Sequence, residues 1–136
     1  MGKICEIIEK VLDDIDLVYT KKNMDINEIS HIFYVINLSF NNKFLDGGLV
    51  YNETENELTF LFFENRKNKE ENDIQLYKKV NELNEFLKYG RVYLDKESLV
   101  YELNIYIFAN KDSEKIFLTY ISTVIATAKS VFGEKI

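Results

Sequence analysis

A chain of 136 residues with 46% hydrophobic and 14% aromatic side chains is too short for two ordinary domains and too apolar to be disordered. About two-thirds of its unfolded surface can be buried on folding, enough for a core of its own, so residues 1–136 are expected to form a single domain. Against 17 bases stand 23 acids, and the net charge of −6 repels nucleic-acid phosphate and anionic membrane surfaces; neither a nucleic-acid partner nor membrane insertion is expected.

A single cysteine, Cys5, excludes an internal disulfide. Glu6 and Glu9 interrupt the first apolar run, which is therefore no signal peptide, and an unpaired thiol without an export signal favours the cytoplasm. Apolar runs fall far short of the roughly 18 residues of a bilayer span. The many Lys, Asn and Ile residues fit an AT-rich bacterial genome. With no proline and five glycines, most of the length goes into regular elements.

Lys3 to Tyr19 reads as a helix, with Ile4, Ile7, Ile8, Val11, Leu12, Ile15 and Val18 in one apolar stripe and acids opposite. His31 to Phe40 suits a strand: Ile32, Tyr34, Ile36, Leu38 and Phe40 fall on one face, His31, Phe33, Val35, Asn37 and Ser39 on the other. Asn41-Asn42 makes a turn and Asp46-Gly47-Gly48 a second break. Leu49 to Asn52 and Glu57 to Glu64 are the next strands, the latter with Leu58, Phe60 and Phe62 opposed to Thr59, Leu61 and Phe63.

Glu64 to Asp73 is a polar loop, and Asn72 or Asp73 caps a second helix reaching to Tyr89 with Leu76, Val80, Leu83 and Leu87 as its stripe. Gly90 ends it. Arg91 to Asp95 and Leu99 to Ala109 form a hairpin about Lys96-Glu97. Asp112 or Ser113 caps a third helix to Phe132, its stripe Phe117, Tyr120, Ile121, Val124, Ala128 and Val131. The order is α-β-β-β-α-β-β-α. Short connections make consecutive strands antiparallel neighbours, so the expected fold is α+β, one antiparallel sheet of about five strands with three helices.

The stretch Val80 to Ile107 resembles the YbjN-like family of bacterial sensory-transduction-regulator-like proteins. Asn81 and Asn84 near the helix end, Tyr89-Gly90-Arg91, and Tyr93-Leu94-Asp95 entering a hairpin carry the likeness. The element order is similar to that of the class I type III secretion chaperones, whose fold the family shares. That resemblance implies a small, acidic, non-catalytic protein, often a homodimer, with the second helix and hence Leu76, Val80, Leu83 and Leu87 at the dimer interface; packing inside one chain is the alternative for that stripe. Independently of the name, Asn84 sits where its amide reaches carbonyls left unpaired at the helix end or the next strand's backbone, a structural bracket rather than a ligand contact. Gly90 lets the chain reverse without a Cβ clash.

Catalytic patterns are absent. The sequence has no GxSxG, HExxH or Walker loop, and Gly47-Gly48 lacks the Lys-Ser/Thr of a phosphate cradle. His31 is the only histidine and Cys5 its only soft companion, so no metal site and no cofactor are expected; both read as structural or surface residues. Asp13, Asp14 and Asp16, and Glu70, Glu71 and Asp73, lack the spacing of a calcium loop, and Arg66, Lys67 and Lys69 are diluted by acids.

What remains is a surplus of apolar strand faces. Once helices cover one face, Phe33, Val35, Leu61, Phe63, Tyr106 and Phe108 are left on the other, interleaved with Asn37, Thr59, Glu102 and Asn104. This is the composition of a protein-binding patch, unless one of the chain's own helices covers it. The expected function is a chaperone-like or regulatory domain that holds a segment of a secreted or regulatory partner protein, with strand addition at a free sheet edge as a further source of hydrogen bonds. An acidic immunity or antitoxin protein, inhibiting a basic enzyme by charge complementarity, is the alternative.

Overall fold

The computed structural model describes residues 3–40, 42–65 and 73–133. Along the chain these residues form α1 (Lys3–Asp14), β1 (Tyr19–Ile26), β2 (Ile29–Phe40), β3 (Lys43–Asn52), β4 (Glu57–Asn65), α2 (Asp73–Phe86), β5 (Arg91–Asp95), β6 (Ser98–Tyr106) and α3 (Ser113–Gly133). Every strand pairing is antiparallel and the spatial order is β1-β2-β3-β4-β6-β5. The expected class is therefore found, with one strand more than the sequence suggested.

That strand is β1, and its residues explain why it escaped notice. Tyr19 to Ile26 (YTKKNMDI) lies at a sheet edge, and all but Tyr19 are exposed. With both sides wet, nothing imposes an apolar alternation. The strand is held by its pairing to β2 across Asn27-Glu28, which both take positive φ (51° and 67°), the two-residue turn whose twist matches a hairpin.

The first helix stops at Asp14, five residues before the expected end. Asp16 takes φ 59°, its N–H donates to the Asp13 carbonyl (3.1 Å) and the Leu17 N–H donates to the Leu12 carbonyl (2.9 Å). This is the Schellman closure, with an aspartate at the left-handed position where glycine is usual. Val18 is consequently turned out to solvent instead of joining the stripe.

Gly47 and Gly48 do not break the chain; they lie inside β3. A Cβ on Gly47 would stand 2.2 Å from the Leu61 carbonyl oxygen, and one on Gly48 would stand 2.0 Å from that of Tyr34. The glycines are there because β2 and β4 close in on β3 at this point. The second helix ends at Phe86 rather than Tyr89, and Gly90 follows at φ 82°. Asp73 is its first residue; the expected Asn72 cap, Asn41 of the expected Asn41-Asn42 turn, and Arg66, Lys67, Lys69, Glu70 and Glu71 lie outside the described residues.

The core lies between one face of the sheet and the pair α1 and α3. Tyr34, Ile36, Leu49, Leu58, Phe60, Phe62, Leu99 and Tyr101 meet Ile8, Leu12, Phe117, Ile121 and Val124 there. The Phe60 and Phe117 rings stack at 6.1 Å. The Tyr34 hydroxyl donates to Glu9 Oε2 (2.9 Å), which also receives Lys21 Nζ (3.0 Å), and Lys10 bridges α1 to Glu114 of α3. By length and composition α3 is apolar enough to cross a membrane, against the expectation from apolar runs. Phe117, Ile121, Val124, Ala128 and Val131 put one line of it on the core, while Ile116 and Leu118 stand exposed on its outer side.

Candidate functional site

Strand registers fix which side chains share the second face of the sheet. Val35, Gly48, Leu61 and Glu102 stand in one cross-strand row. Phe33, Val50, Thr59 and Asn104 form the next row on one side; Asn37, Asp46, Phe63 and Val100 form the row on the other. Neither α1 nor α3 lies here, since both are committed to the opposite face. Val35, Phe63 and Tyr106 remain 38%, 37% and 68% exposed, and Phe33 and Leu61 are half-buried. Val100 is enclosed between its cross-strand neighbours Phe63 and Tyr93.

The apolar centre has a particular shape. Gly48 carries no side chain between Val35 and Leu61, so the middle row dips to backbone while Phe33 and Phe63 rise in the rows beside it. One side is closed by a polar cluster. Glu102 accepts from Tyr93 Oη (2.8 Å), Asn104 Nδ2 (2.9 Å) and Arg91 Nη2 (3.1 Å), while Thr59 Oγ1 donates to Asn104 Oδ1 and the Arg91 guanidinium lies 4.8 Å from the Tyr93 ring centre. Burial alone would raise the Glu102 carboxyl, but the hydrogen bonds from Asn104, Tyr93 and Arg91 outweigh it and hold the group below its ordinary value near 4.5. Burial, and then the bond to Glu102, push the Tyr93 hydroxyl up to about 12. Across the face, Asn37 donates to Asp46. These polar groups have partners in one another, and they frame the apolar centre.

Five of the six residues singled out for a partner patch, Phe33, Val35, Leu61, Phe63 and Tyr106, fall on this one face. Phe108 does not. β6 ends at Tyr106, the Ile107 N–H donates to the Asn56 carbonyl, and Phe108 stands in the connection to α3, where its carbonyl accepts from Ser113 Oγ (2.6 Å). The stripe considered for a dimer contact behaves differently again. Val80, Leu83 and Leu87 pack against the chain's own core, and Leu76 is half-buried.

Asn84 is the bracket the sequence suggested. Its Oδ1 accepts from the Val92 N–H and its Nδ2 donates to the Val92 carbonyl, both at 2.8 Å. The amide thus imitates a neighbouring strand at the β5 edge. Asn81 is exposed beside it. Gly90 is required where it stands, because a Cβ would meet the Glu102 carbonyl oxygen at 2.5 Å. The Tyr101 hydroxyl donates to the Tyr89 carbonyl (2.9 Å) and fixes the same corner.

Cys5 and His31 are kept apart. Cys5 is buried on the covered side, whereas His31 lies on the open face with Nδ1 2.9 Å from the Ile29 carbonyl oxygen. Among the described residues, no group of three or more His, Cys, Asp or Glu side chains could hold a metal. Sequence reasoning missed a groove between α2 and α3, lined by Leu83, Phe86, Leu87, Tyr89, Thr123 and Thr127 among others. Phe86 is the signal that could have revealed it, an aromatic outside the helix stripe and 85% exposed.

No protein-family model matches the chain, and no curated protein matches it by sequence. Among solved structures it is similar to the crystal structure of YbjN from E. coli, named there a candidate transcription regulator: TM-score 0.64, 11% identity, covering 93% of this chain and 87% of that one. The fold is YbjN-like. At this identity the likeness extends to the fold alone, and it agrees with the resemblance carried by Asn81, Asn84 and the Tyr89-Gly90-Arg91 corner.

Proposed function

We propose that this YbjN-like domain is a non-catalytic protein-binding module, chaperone-like or regulatory, that seats a partner segment on the open sheet face. The observation that carries the reading is the apolar centre Phe33, Val35, Leu61 and Phe63 around the Gly48 dip, set in an antiparallel sheet whose other face packs against α1 and α3. Antiparallel sheets commonly leave one face to water, but that face is then polar along its strands. Here it is mixed, with aromatic anchors at the centre and satisfied polar groups around them, which is the make-up of a recognition surface. The net charge of −6 keeps such a surface from self-association in bulk and favours a partner segment with basic flanks.

The test is a paired substitution, Phe63→Ser with Tyr106→Ser, compared with the wild-type chain for recovery of partners from its native lysate at low and high salt. The reading expects a variant that stays folded, with a modestly lower melting temperature, and recovers none of the wild-type partners. It also expects wild-type recovery to survive high salt. Unchanged recovery by a folded variant would remove the face from consideration, and recovery that vanishes with salt would favour the charge-driven inhibitor instead.

A further inference from the structure

The sheet's two edges are finished in different ways. At β5 the Asn84 carboxamide occupies both hydrogen-bonding groups of Val92, and α2 packs alongside. At β1 no described element lies beyond the strand, and every residue from Thr20 to Ile26 is exposed. The two-residue turn at Asn27-Glu28 closes on the hydrogen-bonded pair Ile26–Ile29, and backbone direction alternates from there. Ile26, Met24 and Lys22 therefore point their backbone groups at β2, while Asp25, Asn23 and Lys21 point theirs outward, away from the sheet.

We propose that this edge joins a second copy of the chain, β1 against β1 antiparallel about a two-fold axis through Asn23, to make one continuous sheet. In that register Asn23 faces its own counterpart. Lys21 faces Asp25 of the other copy, and Asp25 faces Lys21, so every outward backbone group meets another and two opposite-charge pairs form. Sliding the pairing by two residues either way loses both charge pairs and places Lys22 opposite Lys22 or Met24 opposite Met24. A lysine-bearing edge deters most strands; this one carries the acid that answers its own lysine at the matching distance. The pairing leaves the open face uncovered on both copies, and it does not depend on the reading of that face.

The experiment is analytical ultracentrifugation of the full chain over a range of concentrations, with three variants. The wild type is expected to show a reversible monomer–dimer equilibrium. Asp25→Lys and Lys21→Asp each set like charges opposite and weaken the dimer about tenfold, and the two together recover most of it. Asn23→Pro removes only an outward N–H, so it abolishes the dimer while the thermal melt holds. Lys21→Asp also gives up the contact with Glu9, so Asp25→Lys and Asn23→Pro decide if that variant folds poorly. A wild-type chain that stays monomeric throughout overturns the proposal, as does a dimer indifferent to Asp25→Lys and Asn23→Pro.

Discussion

The two faces of the sheet are built from the same strands and differ only in which alternate residues they present. On the covered side Phe60 and Phe62 have no exposure and pack beneath α3; one residue further along β4, Phe63 stands open on the other side. The contrast teaches that a phenylalanine's role here follows from its parity along a strand, since hydrophobicity is equal on both sides. What distinguishes the open face is the company its rings keep: hydrogen-bonded polar groups at Thr59, Asn104, Glu102 and Asp46 instead of further hydrocarbon.

The contrast breaks most visibly under truncation. Phe60→Ala should lower stability by about 3–5 kcal/mol, because the ring is fully buried against Phe117, whereas Phe63→Ala, at a ring 37% exposed, should cost about 1–2 kcal/mol. Urea unfolding of both variants measures the difference, and equal losses would mean that the open face is packed after all. Next in size, Gly47→Ala should cost about 1–3 kcal/mol, because the new Cβ is driven onto the Leu61 carbonyl and pushes β3 from β4. Thermal melts read this directly.

Asn84→Ala sharpens the comparison at the sheet's margin. It leaves the Val92 N–H and carbonyl without their partner, at a cost of about 1–3 kcal/mol, and faster amide exchange at Val92 is the specific readout. Asn84→Asp should lose less, since a carboxylate still accepts from the N–H. The smallest effect belongs to Glu102. Because its carboxyl sits lower in the folded chain than in the unfolded one, it stabilises the fold above the ordinary carboxylate range, and that contribution disappears as pH falls from near 4.5 through the lowered folded value. Stability of Glu102→Gln measured against pH should therefore be flatter than wild type on the acid side and parallel to it near neutrality.

Much of this was legible in the residues. Period-two alternation in β2, β4 and β6 assigned side chains to the correct faces because one face is dry, and a slip of one residue would have inverted the pattern. Asn84 was found because an amide near a helix end must bond something. Three features were hidden for physical reasons. β1 has no dry side and so no pattern; α1 ends at an aspartate in the conformation that glycine usually signals; and Gly47-Gly48 look like a turn in sequence while serving strand-to-strand closeness in space. The strand expected to reach Ala109 stops at Tyr106 because the Ile107 N–H turns to Asn56, although the hydrophobic run continues past that point.

The most direct test of the central claim is a methyl-resolved NMR titration of the labelled chain with its purified partner. Binding on the open face predicts that the Val35 and Leu61 methyls shift with added partner, while those of Ile121 and Val124, sealed in the core, hold their positions. Shifts confined to the groove of Leu83, Leu87 and Thr127, with Val35 and Leu61 unmoved, would contradict it.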